Sequence, residues 1–343
     1  MRGYLWGLLA AVLFGASAPA AKLLLPSSGP LMLAGLLYLG AGLALLAAVP
    51  FRKRSGEAPL TRRDAPVLLG MVLSGGMLGP ILLMLGLQRI GAVPASLLLN
   101  LEAPFTIALA VLLFGDHLGR RAAAGAALVV VAAGALAWRG PGLHLEIAGA
   151  AAVAGACICW ALDNNLSQRV SLKDPRLVVI AKALPAGAFS VVVALASGER
   201  VPSPWTCAGA LATGALGYGA SIALHLLAVR KIGAARQAAI FATGPFVGAV
   251  LAVPILGEHL RPADGAVALA MGLGLWAIFQ ETHSHRHVHE PLVHEHAHVH
   301  DEHHQHPHPG PVTEPHSHPH RHEGVVHDHP HLPDVHHRHG HRR

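Results

Sequence analysis

Charge is what this sequence has least of. Asp, Glu, Lys and Arg make up 13% of the 343 residues, about half the usual share of a soluble globular protein. So small a supply cannot cover a water-facing surface, and a soluble domain is excluded. Cysteine is scarce as well. Cys157, Cys159 and Cys207 are too few and too apolar in context for a disulfide framework. Cys157 and Cys159, two apart on a predicted helix, point about 200° away from each other and do not chelate as a pair. No Gly-Lys-Ser/Thr phosphate loop occurs, which excludes direct use of ATP. The sequence pI of 9.6 does not signal nucleic-acid binding, because the basic residues alternate with long apolar runs, the pattern of a membrane protein.

Apolar residues are abundant, at 52%. A helix needs about 20 of them in succession to cross the hydrocarbon layer, and the chain offers such runs repeatedly. Leu31–Phe51, Ala65–Gln88, Val201–Val229 and Gln237–Gly257 contain no Asp, Glu, Lys or Arg. Tyr4–Leu25, Ala92–Gly115, Ala122–Trp138, Ile147–Ser167, Leu177–Ser197 and Ala263–Gln280 are comparable, which predicts ten spans. Glycine and proline inside them are tolerated in membrane bundles. Alternate loops collect 14 basic residues on one side and only Arg89, Arg139, Arg200 and Arg261 on the other. By the positive-inside rule both termini are expected in the cytoplasm, in a multi-pass protein of the cell membrane (a bacterial inner membrane). The first apolar stretch could pass for a secretory signal; it is read as a span because the repeat described next needs it.

The two halves resemble each other at a shift of 142 residues, which sets Arg89-Ile-Gly-Ala92 on Lys231-Ile-Gly-Ala234 and Gly115-Asp-His-Leu118 on Gly257-Glu-His-Leu260. Gly75 falls on Gly217, and Pro104-Phe105 meets Pro245-Phe246 after a slip of one residue. Five spans per half is an odd number, so the second copy must lie upside down relative to the first. Inverted repeats that rock about a midplane site are a transporter device. The expected fold is therefore all-α and integral to the membrane. Residues 1–139 and 140–280 form two inverted five-helix repeats, and 281–343 form a disordered tail.

Several segments carry a resemblance to a known family. Ala95–Phe105 running into Leu113-Phe-Gly-Asp-His-Leu118, its repeat Ala238–Phe246 running into Gly257-Glu-His-Leu260, Phe14-Gly-Ala-Ser17 and Trp160–Asn165 are similar to the ten-span EamA branch of the drug/metabolite transporter superfamily. Gly115-Asp116 stands where that family more often has Gly-Glu, and the tail has no counterpart in the family pattern. The resemblance implies transport of small solutes such as metabolites, amino acids or drugs, without fixing which.

Ionisable groups inside a bilayer are costly, so each is a functional candidate. Glu102 is the strongest: it lies near mid-depth in span 4, two residues before Pro104, whose missing N–H frees a backbone carbonyl. It is assigned to substrate or proton binding, with a hydrogen-bonded packing role, to Asn100 or a neighbouring helix, as the plainer reading. Asp163, Asn164 and Asn165 cluster in span 6 and Lys182 lies at similar depth in span 7, either as an interhelix ion pair or as a cytoplasmic-side gate or substrate contact. Tyr218 and His225 of span 8 complete the candidate substrate or proton path. A lone histidine on an apolar helix is more often a packing residue. Lys22 is expected to snorkel at the outer end of span 1. Pro104, Gly115, Asp116, Pro245, Gly257 and Glu258 are read as structural, the two acids each starting the turn into the next span and satisfying free helix N–H groups there.

Histidine is concentrated in the tail, with 23 of 27 after residue 282. His283, His285, His287 and His289 alternate with other residues, as do His294, His296, His298 and His300. The pattern continues through His303, His304, His306 and His308, then His316, His318, His320 and His322, and recurs at His327–His331 and His336–His341. Neutral imidazole suits Zn²⁺, Ni²⁺, Co²⁺ and Cu²⁺, so the tail is expected to bind such metals, although transport itself requires no cofactor. Full protonation would take its formal charge from −4 to about +19, which makes a pH-responsive tail the plainer alternative. The expected partners are the lipid bilayer, a small solute and metal ions at the tail, with no nucleic acid. A secondary transporter, more an exporter than an importer, is the leading function. The alternatives are efflux of Ni, Co or Zn with the tail as a collector, a membrane-anchored metal store or sensor, and, weakest, a membrane enzyme. Catalytic metal sites need rigid ligands, and the bundle holds only His117, His144, His225 and His259.

Overall fold

The computed structural model describes residues 1–49, 59–114, 118–137, 144–170 and 173–280, with 283–288, 292–298, 316–322 and 326–331 of the tail. Ten helical spans are long and apolar enough to cross a membrane: Arg2–Ser27, Pro30–Ala48, Arg62–Arg89, Ala92–Leu113 and Arg120–Ala137 in the first half. Ile147–Val170, Pro175–Ala196, Pro204–Val229, Arg236–Leu256 and Pro262–Phe279 follow in the second. They are numbered spans 1–10 below. Short connections make successive spans antiparallel, so both ends of the bundle's chain emerge on one face, called here the terminal face, opposite the far face. Many large apolar side chains point outward, Leu112 at 78% and Val131 at 68% exposure, and alanines such as Ala11, Ala21 and Ala156 are fully buried. Small residues at the contacts let helices approach closely within lipid.

Span pairing follows the repeat. Span 1 packs on spans 8 and 9, and span 6, its repeat mate, packs on spans 3 and 4; spans 2 and 7, spans 5 and 10, and spans 4 and 9 pack on each other. Exchanging each span with its mate reproduces these pairings, as a pseudo-twofold axis requires. Two of the self-paired contacts rest on glycine. A Cβ on Gly35 would lie 2.9 Å from the carbonyl oxygen of Gly187, and one on Gly274 would lie 2.7 Å from that of Gly125. Backbone meets backbone there, so Gly187→Val should separate spans 2 and 7 at a cost of about 1–3 kcal/mol or more. The thermal midpoint of the purified protein checks this, and an unchanged midpoint would refute the close approach.

Both halves break their helices at matching places. Span 3 widens into a π-helix over Val72–Leu78 and span 8 into another over Ala215–Ala220. Gly75 and Gly217, already aligned by sequence, sit in these turns. Pro80 follows the first of them; it lacks an N–H and crowds the preceding turn, which a wider turn relieves. Span 4 tightens to a 3₁₀ turn at Leu99–Leu101, just ahead of Pro104, and span 9 breaks at Ala242 and Thr243, just ahead of Pro245.

Four segments of the tail are extended. His283–Val288 pairs antiparallel with Val326–His331, and Leu292–His298 with His316–His322.

Candidate functional site

The π turn of span 3 turns the carbonyl of Gly75 away from its own helix. Tyr38 of span 2 donates its hydroxyl to that oxygen at 2.5 Å, and Trp160 of span 6 donates Nε1 at 3.1 Å. A Cβ on Gly75 would collide with the Asp163 carboxyl group, so glycine here lets Asp163 lie directly against the turn. Asp163 is 6% exposed. Its Oδ2 accepts from Lys182 Nζ at 2.7 Å, while its Oδ1 is buried with no partner among the described residues. One helical face away, Glu102 Oε1 accepts from Asn164 Nδ2 at 2.7 Å. Asp163 and Lys182 are the charged groups that face Glu102. Asn165 fastens the two helices, donating to the Thr106 carbonyl at 3.1 Å and to Ala161 at 2.8 Å. Two carboxyl groups and one ammonium thus come together, Asp163 buried and Glu102 and Lys182 half-buried, where charges act on each other more strongly than in bulk water.

Across the pseudo-twofold axis the matching positions carry no charge. Ser17 stands where the other half has Asp163, Phe14 where it has Trp160, and Thr243 where it has Glu102. Aromatic rings run through this second half. Tyr38 and Tyr218 have centroids 5.7 Å apart, Phe14 lies 6.2 Å from Tyr218 and 5.0 Å from Phe241, and His225 lies 4.8 Å from Phe241. The centre of the bundle is therefore charged on the side of spans 4, 6 and 7 and aromatic on the side of spans 1, 8 and 9.

Of the residues expected on the path, Glu102, Asp163, Asn164, Asn165 and Lys182 come together, and Tyr218 joins them through Tyr38. Asn100 does not. It is buried, donates to the Leu97 carbonyl at 2.9 Å and meets Met271 Sδ of span 10 at 3.8 Å, so it serves the broken turn of span 4. His225 stands apart from the charged group: its Nδ1 lies 3.1 Å from Nε2 of the fully buried Gln237. Lys22 does not snorkel but donates to the carbonyls of Leu87 and Ile90 at the end of span 3. Glu258 caps a helix, though of span 4 rather than span 10, accepting from Ala92 N at 2.6 Å and Val93 N at 2.9 Å. Lys22 and Glu258 thus grip the turn between spans 3 and 4 from its carbonyl and its amide side. Gly257 ends its helix at φ +68°, a left-handed cap that favours glycine. Gly115 and Asp116 lie outside the described residues.

Tyr38 and the Gly75 carbonyl escaped the reading of the sequence. Gly75 had a signal, its alignment with Gly217; a lone tyrosine in an apolar run had none. In the tail, His283, His285 and His287 stand in register with His331, His329 and His327. His294, His296 and His298 stand opposite His320, His318 and His316, and His322 opposite Leu292. His289, His300, His303, His304, His306 and His308 lie outside the described residues.

Comparison with known proteins agrees with this architecture. The description of the EamA-like transporter family matches the chain twice, over residues 1–138 and 147–280. An uncharacterized transporter of Methanothermobacter thermautotrophicus is 29% identical over 294 residues, spanning 81% of this chain and 86% of that protein. A solved structure described only as the crystal structure of a protein superposes with a TM-score of 0.60 at 21% identity, over 81% of this chain and 96% of that one; it bears on the fold alone.

Proposed function

The chain belongs to the EamA-like transporter family, and from that premise we propose a secondary active exporter of a small organic solute, working by alternating access between its two repeats. The observation that carries this reading is the group of Glu102, Asp163 and Lys182 against the Gly75 turn, Asp163 buried and the other two half-buried, at the junction of the halves. Charges at such depth mark substrate or ion pathways, and a midplane position between inverted repeats is where such sites lie. Glu102 binds the solute or the coupling proton, and Lys182 with Asp163 forms a contact that opens and closes. Asn164 is exposed while Lys22 and Glu258 hold the far side together, the arrangement from which an exporter would load its solute. The excess of basic residues in the loops of the terminal face supports assigning that face to the cytoplasm.

A second reading gives the tail a part in metal handling. Its support is the composition of the tail, which holds 23 of the 27 histidines in closely spaced His-x-His runs. Zn²⁺, Ni²⁺, Co²⁺ or Cu²⁺ are the ions such donors take. Comparing the full chain with residues 1–280 in proteoliposomes separates the readings. For a solute exporter, truncation should leave solute flux within about twofold while removing most bound metal. Flux confined to transition metals and lost with the tail would establish metal efflux instead.

A further inference from the structure

Away from the central site, the far face holds a cavity of about 320 Å³ between the turn of spans 3 and 4, the end of span 5, the start of span 6 and the turn of spans 9 and 10. Its floor is apolar and buried, formed by Val93, Leu98, Leu136 and Ala150. Its rim carries Arg89, His259 and Arg261, all exposed. The acids beside them are already engaged: both oxygens of Glu258 accept the amides of Ala92 and Val93, and Asp264 accepts from Arg261 N at 3.0 Å. Arg89 spends one N–H on the Leu85 carbonyl at 3.0 Å. Neither guanidinium has an ion-pair partner among the described residues.

Basic residues are rare on this face. Of the described arginines in its loops, Arg89, Arg200 and Arg261, two converge on this cavity. A cationic rim over an apolar floor, at the level where helices leave the hydrocarbon layer, matches an anionic head joined to an apolar body. Guanidinium groups recognise phosphate and carboxylate through paired N–H donors. The floor is separated from Glu102 by Cys157, which is fully buried with its Sγ on the carbonyl of Leu98 at 3.6 Å.

We propose that this cavity binds the phosphate or carboxylate head of an anionic amphiphile between Arg89 and Arg261, with the first part of its apolar body on Val93, Leu98 and Leu136. The head joins the turn of spans 3 and 4 to that of spans 9 and 10, the pair of turns that Glu258 already links. Occupancy therefore holds the far face closed.

Native mass spectrometry of the purified full chain tests the proposal, with phosphatidylglycerol and phosphatidylcholine of identical acyl chains as probes. The wild type should retain phosphatidylglycerol about tenfold better. Arg89→Gln with Arg261→Gln should abolish the preference, and Arg89→Lys with Arg261→Lys should keep at least part of it. Dodecyl phosphate should displace the bound lipid from the wild type, and inorganic phosphate at the same concentration should not. A preference that survives the glutamine pair overturns the site. Equal displacement by inorganic phosphate overturns the amphiphile in favour of a free anion. The competition uses only wild-type protein, so it decides even if the glutamine pair fails to fold.

Discussion

Asp163→Ala should cost about 3–5 kcal/mol of stability, the usual penalty for leaving a buried charge without its partner. Lys182 Nζ lies 2.7 Å from Asp163 Oδ2, with the side chains 12% and 8% exposed, so water cannot replace the lost carboxylate. Lys182→Met should do comparable harm, because Asp163 already has one oxygen without a partner among the described residues. Asp163→Asn combined with Lys182→Met should then recover most of the lost stability, since a neutral pair of similar volume is often as stable as the ion pair it replaces. Thermal midpoints of the two single variants and the double variant test this. Transport separates the roles. If the pair opens and closes around solute, the double variant folds and does not transport. Full transport by the double variant, or by the charge-swapped pair, would make the contact structural.

Glu102→Gln should lower solute flux about tenfold or more while leaving the fold intact. The amide keeps an oxygen to accept from Asn164, so the link between spans 4 and 6 survives. What it loses is the ability to gain and lose a proton or to face a cation as a carboxylate. The ionisable groups opposite it are Asp163 and Lys182, already paired with each other. Wild-type flux should therefore rise with a proton gradient across the vesicle, and that of the variant should be the same with or without one. A variant that keeps both the wild-type rate and its pH dependence would remove Glu102 from the mechanism.

Much of the fold was legible because a membrane imposes a coarse rule. A span must be apolar along its whole length, and composition alone shows that. The repeat was legible through Gly75 and Gly217, Pro104 and Pro245, residues that govern backbone geometry and so mark the breaks in spans 3, 4, 8 and 9. Asp163 and Lys182 could be paired by depth alone. Partners set by tertiary contact could not be read this way. Glu258 caps span 4 across 166 residues, and Lys22 reaches the end of span 3 across 65 and 68. Tyr38 reaches Gly75 only because a π turn frees that carbonyl, a feature invisible in side-chain hydropathy. Asn100 looked like a companion of Glu102 from two residues away, but the 3₁₀ turn between them directs it to span 10.

Solute counterflow in proteoliposomes is the most direct test of alternating access about the Glu102–Asp163–Lys182 group. Vesicles preloaded with unlabelled solute, drawn from a panel of small organic amines, acids and zwitterions, are mixed with labelled solute outside. For one class of solute the wild type should show saturable exchange that is accelerated by solute on the opposite side, and Glu102→Gln should show none above empty vesicles. Uptake that is linear in concentration, indifferent to internal solute and unchanged by Glu102→Gln would contradict both the carrier and its site.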